Sequence, residues 1–210
     1  MNVSELVKLT RTLLGDPKGD RYERDEILVL LNSIQQSMQN EILESDEHYF
    51  SSATELTVTA APGDCVEFDL PADFINLKSL ERVVTGGKPV PGTEVQFSQR
   101  NDYVATEYVA VVTGPCYYFR GTKIGIVDPR DDYTVRVYYS PMLADLDDDD
   151  DVPEIPVQYH RTLAFGAAVV GYGIAEKPVP PAIDREYTAF RERFVRTLEM
   201  RGRQGPRYVQ

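Results

Sequence analysis

Helical patterns lie at both ends of this 210-residue chain, and about ninety residues of strand and turn patterns separate them. At the front, residues 3–14 and 24–44 carry apolar side chains at helical spacing. At the back, helices are predicted from about Pro156 and from about Pro181. Neither pair of helices has enough apolar surface to fold alone, so we expect both ends to pack together as one bundle, residues 1–50 and 153–200.

The helices of this bundle have predicted ends and a predicted core. Ser4 is the expected N-cap of the first helix, and Gly15 supplies its stop. In the second helix Asn32 is expected to face solvent or to bond another helix, and glutamines 35, 36 and 39 are assigned to the outer face. Alanines 164, 167 and 168 with Gly171 should allow close packing of the third helix. The predicted core is Leu6, Leu13, Ile27, Leu31, Ile34, Met38, Leu163, Phe190, Phe194 and Leu198.

Residues 51–145 predict an inserted β domain. Alternating apolar residues at 56–58 and 66–70, on either side of the turn run 60–64, predict a hairpin. Further strands are predicted near residues 77–84, 108–113, 116–120, 123–127 and 133–139, and a short helix fits within 97–102. The strand and turn spacing is typical of a small antiparallel sandwich or barrel. The predicted fold class is therefore α+β, a helical bundle formed by the N- and C-terminal helices with an inserted antiparallel β-sandwich or barrel-like domain.

An acidic run at residues 145–152 precedes the third helix. A calcium loop is one interpretation, but an EF-hand needs glycine at its sixth position and glutamate at its twelfth. Counted from Asp145, those positions hold Asp150 and Pro156, so a solvated linker is favoured. Residues 201–210, which contain two glycines and a proline, predict an extended tail.

Charge is unevenly distributed along the chain. The net charge is −12 and the pI is about 4.6, which argues against non-specific binding of nucleic acid. From Asp184 onward the chain contains seven arginines and four carboxylates, which gives this part a net charge of +3 and the remainder −15. One interpretation is a solvated basic helix face with a frayed tail. The other is a basic arm that docks on an acidic partner surface.

Residue types that carry chemistry are scattered. Cys65 and Cys116 are expected to be free, buried thiols of a reducing, cytosolic origin, and they could occupy neighbouring strands. No signal peptide and no membrane-spanning run is predicted. His48 and His160 do not cluster with the cysteines as metal ligands would, and phosphate-loop, dinucleotide and nucleophile-elbow motifs are absent from the sequence. We therefore predict no enzyme, cofactor or metal, although a glycosidase with two distant carboxylates stays open.

Four segments resemble the head-to-tail adaptors (connectors, tail tubular protein A-like) of short-tailed bacteriophages. Residues 21–36 resemble the second helix of that family, in which an acidic start leads into a Leu-Asn pair. Residues 69–74 resemble a Leu-Pro turn of the family, and residues 137–141 give a further match. Residues 155–166 resemble its helix that begins with Ile-Pro. The four matches follow the family's order and touch most of the chain.

The resemblance implies a structural virion protein at the head–tail junction, made in the host cytoplasm. It implies a homo-oligomeric ring of about twelve copies, a dodecamer, that binds the portal protein and the nozzle protein and in some phages the tail fibres. Such a ring extends the DNA channel for genome ejection without binding DNA specifically, and it has no membrane partner. We assign Arg201, Arg203, Arg207 and Tyr208 to portal docking as a hypothesis. Alternatives are a carbohydrate-binding or hydrolytic β-sandwich protein, and another phage tail-completion protein.

Overall fold

Five α-helices and eight strands make up the part of the chain that the computed structural model describes, which is residues 1–46, 49–105 and 114–202. The chain divides into two units. Residues Met1–Tyr49 and Leu143–Gln210 form the first, called here the helical unit, and residues Phe50–Met142 form the second, the β unit. The predicted α+β class, with terminal helices flanking a β-rich region, is confirmed.

Four helices build the helical unit, and one of them is central. They are α1 (Val3–Leu13), α2 (Arg24–Ser45), α4 (His160–Ile174) and α5 (Pro181–Gly202). Helix α4 contacts each of the other three. Its small residues make this possible, because a methyl group on Gly166 would lie only 3.0 Å from the Cγ2 atom of Ile34. The predicted close packing along alanines 164, 167 and 168 is confirmed, since all three are fully buried.

The first helix begins two residues earlier than predicted. Asn2, and not Ser4, is its N-cap: the Asn2 side chain accepts a hydrogen bond from the Glu5 amide at 3.0 Å. The Glu5 carboxylate in turn accepts the Asn2 amide at 3.2 Å, which completes a capping box. The prediction of Ser4 is wrong because this reciprocal pair satisfies two amides, whereas a lone serine would satisfy one. Gly15 has the positive φ of +71° expected of a helix stop.

Eight of the ten predicted core residues are buried, and two are half-buried. Leu13 is half-buried because its neighbour Leu14 faces the interior instead. Phe190 is half-buried and packs edge-on against Phe165, with ring centroids 5.3 Å apart. The remaining eight, all buried, are Leu6, Ile27, Leu31, Ile34, Met38, Leu163, Phe194 and Leu198.

The β unit is a sandwich of two four-stranded sheets. One sheet has the order β1-β8-β3-β4 and the other β2-β7-β6-β5. All strand pairs are antiparallel except β5 with β6, which is parallel. The strands are β1 (Ser52–Val58), β2 (Cys65–Asp69), β3 (Phe74–Arg82), β4 (Val90–Pro91), β5 (Thr93–Glu94), β6 (Cys116–Arg120), β7 (Lys123–Val127) and β8 (Tyr133–Pro141), and the short helix α3 (Arg100–Ala105) lies between β5 and β6.

The two sheets share one apolar core. Val58, Leu80 and Val137 from the first sheet cluster with Tyr117 and Ile126 from the second. The sheets therefore pack face to face, which decides between the sandwich and the barrel. The strand predicted at 133–139 is β8, in which Val135, Val137 and Tyr139 are buried at alternate positions with half-buried residues between them.

The predicted hairpin of residues 56–70 is wrong. Strand β1 pairs with β8, and β2 pairs with β7, so the turn between them carries the chain from one sheet to the other. This turn is held from outside, because the Gly63 amide donates to the Asp128 carboxylate at 2.7 Å and the Ala61 amide to the Pro129 carbonyl at 2.8 Å. The strand predicted at residues 108–113 lies outside the described residues.

The cysteines do not occupy neighbouring strands. Cys65 on β2 and Cys116 on β6 both stand opposite Val127, one on each side of β7. Two strand spacings separate their backbones by roughly 9–10 Å, which exceeds the reach of a disulfide. Both thiols are free, and Cys65 is half-buried where burial was expected.

Candidate assembly surfaces of the helical unit

Helix α2 presents a row of amide side chains, two of which, Gln35 and Gln39, sequence analysis assigned to the outer face. Asn32, Gln35 and Gln39 lie at intervals of three and four residues and therefore share one face. Gln35 and Gln39 are buried, contrary to the prediction of an outer polar face, and Asn32 is half-buried. Their face is turned by roughly 90° from the apolar stripe that packs on α4. What covers them is the returning chain at residues 143–146.

The amide row binds the main chain of this returning segment. The Asn32 side-chain amide donates to the Leu146 carbonyl at 3.2 Å, and the Leu146 amide donates to Asn32 Oδ1 at 2.8 Å. Gln35 Nε2 donates to the Ala144 carbonyl at 3.0 Å, and the Leu143 amide donates to Gln39 Oε1 at 3.2 Å. These bonds satisfy polar backbone groups that neither a helix nor a strand covers here.

The acidic part of the segment is fixed as well. The Arg24 guanidinium binds the Asp149 carboxylate at 2.9 Å and also donates to the Asp147 carbonyl. The carbonyl groups of Asp149 and Asp151 accept the amides of Ser4 and Val3, at 3.1 and 2.9 Å, which are free donors in the first turn of α1. Residues 145–152, which were predicted to form a solvated linker, are thus held against α1 and α2 within the helical unit.

Asp151 closes a turn within this segment. Its carboxylate accepts the amides of Asp147 at 3.0 Å and of Asp148 at 2.9 Å. These two bonds stabilise the charged form and lower the pKa of the Asp151 carboxyl. Three apolar side chains on either side of the turn anchor it further, namely Leu143, Leu146 and Ile155, all buried.

The remaining carboxylates of the run point to solvent. We name residues 145–150 the acidic segment; its exposed carboxylates are Asp145, Asp147, Asp148, Asp149 and Asp150. Among the ion pairs of the described chain, Asp149 with Arg24 is the one that involves this group. The segment is therefore a strongly negative surface whose backbone has a defined position.

Helix α5 carries arginines and carboxylates in nearly equal number, five against four. Phe194 and Leu198 face inward and are buried, and Phe194 meets the Tyr159 ring at 4.9 Å. On the outer side three exposed arginines lie at helical spacing on what we name the basic stripe, and the exposed carboxylates of Glu186, Glu192 and Glu199 flank it. Its members are Arg185, Ala189, Arg193, Arg196 and Met200.

The arginines of the basic stripe have no ion-pair partner among the described residues, and all three are exposed. Arg191, which lies on the flank of α5, differs because it pairs with Glu41 of α2 at 2.6 Å. That pair ties α5 to α2 and is half-buried on both sides. The arginines of α5 between residues 185 and 196 are thus divided between a structural one, Arg191, and three outer ones without an ion-pair partner among the described residues.

The residues predicted to dock on the portal lie at the end of α5 and beyond it. Helix α5 continues to Gly202, so Arg201 is helical, whereas an extended tail was predicted from residue 201. Arg203, Arg207 and Tyr208 lie outside the described residues.

Neither histidine is placed at a metal site. His48 lies outside the described residues, and the buried His160 has a structural partner, the Ile155 carbonyl at 2.9 Å from Nε2. Within the described ranges there is no group of three histidine, cysteine or acidic residues suited to a metal ion.

Two open clefts of the β unit bear on the enzyme alternative. One of about 620 Å³ is mainly apolar and is lined by Phe74, Leu77 and Phe119 among others. The other, of about 510 Å³, contains Glu67, which pairs with Arg120 and accepts the Tyr118 hydroxyl at 2.9 Å. Burial and the bond to Glu67 raise the pKa of Tyr118, so its hydroxyl stays protonated. Glu67 is therefore held in a structural network.

The described chain thus displays a fixed, strongly negative surface on the acidic segment and three exposed arginines on α5 that have no ion-pair partner among the described residues. A family model for the SU10 adaptor protein matches residues 1–210, and the chain therefore belongs to the SU10 adaptor protein family. This membership makes it a bacteriophage adaptor, a structural class and not an enzyme class, which associates with other virion proteins and belongs to the virion. A comparison with curated proteins gives no match. None of the described helices is long and apolar enough to cross a membrane.

Proposed function

We propose that this protein is the head-to-tail adaptor that forms a ring of about twelve copies between the portal and the tail nozzle. The ring continues the DNA channel, is synthesised in the host cytoplasm as single chains, and serves genome ejection in the virion. The observation that carries this proposal is the match of the whole chain to one adaptor family, from residue 1 to residue 210.

The charge of the chain supports the channel role. With a net charge of −12, an assembled ring repels phosphate, and DNA slides past such a wall without adhering. Of the surplus of +3 from Asp184 onward, +1 lies on α5 and +2 belongs to Arg203 and Arg207, which follow it. Positive charge that is confined to the C-terminal end of the chain favours a role in protein contacts over DNA binding along the channel.

The end of α5 is the proposed portal contact. Arg201 is in the last turn of the helix, and Arg203, Arg207 and Tyr208 follow it in sequence. A short basic segment with glycine and proline can order on a partner and bind its carboxylates. We assign the nozzle protein, and tail fibres where a phage has them, to the β unit, whose sandwich supplies a second and separate surface.

Electron microscopy of a two-component mixture tests the ring. The purified chain is mixed in molar excess with the portal protein of the same phage. The particles are then imaged, and the number of copies in each ring is counted. We expect an added ring of about twelve copies on the portal. The chain alone is the control, since assembly can require the portal as a template. Portal particles that stay bare in excess of the chain would refute the proposal.

Truncation tests the docking residues separately. Removing residues 203–210 leaves α5 complete, so the fold of the helical unit should be retained. We expect this variant to bind portal-bearing heads at least ten times more weakly than the full chain. A second variant, R203E/R207E, keeps the length and reverses the charge, and it should lose binding to a similar degree. Unchanged attachment of both variants would show that the portal is bound elsewhere.

A further inference from the structure

We propose that residues 106–113 of one copy insert their apolar side chains into the apolar cleft of the next copy's β unit, head to tail around the ring. The cleft is the one of about 620 Å³ that Phe74, Leu77 and Phe119 line. This contact rests on the ring proposed above, and it joins neighbouring copies within that ring. The occupant of the cleft is a second copy of this chain.

The cleft is the open end of the sandwich core. Phe74 begins β3, and Phe119 lies near the end of β6, where their rings are 6.1 Å apart. Leu77 and Phe119 pack against the core that the two sheets share. Ile75 also lines the cleft and stays 39% exposed. An apolar cleft of this volume, within the roughly 300–1,000 Å³ typical of binding pockets, is suited to bury apolar side chains of another chain.

The composition of residues 106–113 matches this cleft. The segment joins α3 to β6, lies outside the described residues, and reads Thr-Glu-Tyr-Val-Ala-Val-Val-Thr. Residues 108–112 are five consecutive apolar side chains, and Glu107 is the single charge of the segment. Burial of apolar area is the main favourable term in protein association. Asn76 and Thr122 on the lining of the cleft offer hydrogen-bond partners to the hydroxyl of Tyr108.

The chain on either side of the segment is fixed at the other end of the sandwich. After it, the Pro115 carbonyl accepts the Thr93 amide at 2.9 Å, and an added methyl group on Gly114 would lie 1.9 Å from the Pro91 carbonyl oxygen. Before it, Val104 of α3 packs against the cluster that contains the first residue of β6 and the last residue of β7.

These anchors favour a second copy as the occupant. Six residues of extended chain, from Gly114 to the end of β6, separate the anchor from the cleft by about 20 Å. The backbone between Ala105 and Gly114, fixed at both ends, reaches out by at most about 15 Å, half of its extended length. This reach ends short of the cleft of the same copy. Two different patches at opposite ends of one unit make a heterologous contact, and repetition of such a contact closes a ring.

A pair of new cysteines tests which chain fills the cleft. Ile75→Cys places a thiol on the cleft lining, and Val111→Cys places one in the segment. Rings of I75C/V111C on portal particles are oxidised mildly and separated under denaturing, non-reducing conditions. We expect a ladder of covalent oligomers from two copies upward, because each copy is linked to the next through two different surfaces. An equimolar mixture of the single variants I75C and V111C should stop at covalent dimers.

Val84 provides the matched control. It is 38% exposed, follows the other end of β3 and does not line the cleft, so V84C/V111C should give no ladder. The wild type, with Cys65 and Cys116 alone, measures the background. Charge gives a second reading: I75D and V111D should each lose at least about ten-fold in ring occupancy, because an unpaired carboxylate is costly to bury. V84D should assemble like the wild type, and circular dichroism confirms that each variant is folded.

The outcomes separate the contact from the ring. Wild-type rings, together with unimpaired rings of I75D and V111D and no ladder from I75C/V111C, would overturn the contact and leave the ring proposal standing. A disulfide within a single chain would place the segment in the cleft of its own copy, and a link to the portal protein would assign one of the two surfaces to the portal. Either result overturns the contact. Absence of wild-type rings would overturn both proposals.

Discussion

Asn32 makes the most measurable single contribution to the position of the acidic segment. It is the residue of α2 that both donates to and accepts from the same backbone residue, Leu146, at 3.2 and 2.8 Å. Replacement by alanine removes both bonds at once and leaves the Leu146 amide and carbonyl facing a methyl group. We therefore expect Asn32→Ala to destabilise the helical unit and to loosen the segment on α2.

The magnitude follows from the two lost bonds. Each contributes about 0.5–1.5 kcal/mol net, so the pair contributes about 1–3 kcal/mol, with water able to replace part of it because Asn32 is half-buried. Alanine also raises helix propensity, which offsets up to about 0.7 kcal/mol. Asn40→Ala measures this offset, because Asn40 is exposed on the same helix. Relative to Asn40→Ala, we expect Asn32→Ala to lose about 2 kcal/mol, or roughly 4–8 °C in the unfolding midpoint.

Calorimetry and urea unfolding at neutral pH provide the measurement. The chain has two units, so the transition of the helical unit is identified from its far-ultraviolet helical signal before a free energy is assigned. Hydrogen exchange at the Leu146 amide gives an independent reading, and it should accelerate in Asn32→Ala alone. If both alanine variants have equal stability and equal exchange at Leu146, the two bonds do not fix the segment and the reasoning is refuted.

Three other perturbations have defined outcomes. Gly166→Leu should cost about 1–3 kcal/mol by overpacking against Ile34, whereas Gly173→Leu, with no atom within 4 Å of an added Cβ, should be neutral or stabilising in thermal melts. The two backbone hydrogen bonds to Asp151 lower the pKa of its carboxyl from the usual 3.8. The charged carboxylate therefore contributes stability above about pH 4, and this stability is lost as the pH falls through the lowered pKa. Asp151→Asn should flatten that part of the acid-unfolding profile. Burial raises the pKa of Cys65 and Cys116, so both thiols should react slowly with a disulfide reagent at pH 7.5 in the native protein and quickly after unfolding.

Each of these perturbations has an outcome that would contradict it. Equal melting of the two glycine variants would mean that α4 does not approach α2 as closely as the structure has it. If Asp151→Asn leaves the acid-unfolding profile unchanged, the pKa of Asp151 is the same in the folded and in the unfolded protein. Rapid, stoichiometric labelling of both thiols in the native state would place them at the surface.

Periodicity predicted the helices well because each helix buries one stripe. The spacing of Ile27, Leu31, Ile34 and Met38 determines which side of α2 faces α4, and all four are buried. Strand positions were predicted for the same reason, with β8 as the clearest case. Strand pairing was not predictable in this way. Alternation predicts a strand but not the strand with which it pairs. The turn after β1, whose sequence resembles a hairpin turn, connects the two sheets.

Polar side chains were harder to place than apolar ones. A glutamine on a helix resembles a solvent residue in any single sequence, and nothing in the periodicity distinguishes Gln39, which is buried, from Gln36, which is exposed. The signal that could have been used is the row itself, three amides at helical spacing beside the apolar stripe. Such a row is suited to bind an irregular backbone, because each amide offers both a donor and an acceptor.

The acidic segment shows what charge alone cannot predict. Its carboxylates are solvated, as the sequence indicates, but its position is determined by main-chain bonds to α2 and by the buried side chains of Leu143, Leu146 and Ile155. Those three residues follow neither helical nor strand spacing, so periodicity does not mark them. A free acidic linker would lose much conformational entropy on binding a partner, whereas this bonded segment loses little. The same carboxylates therefore act as one surface whose position is fixed before any partner binds.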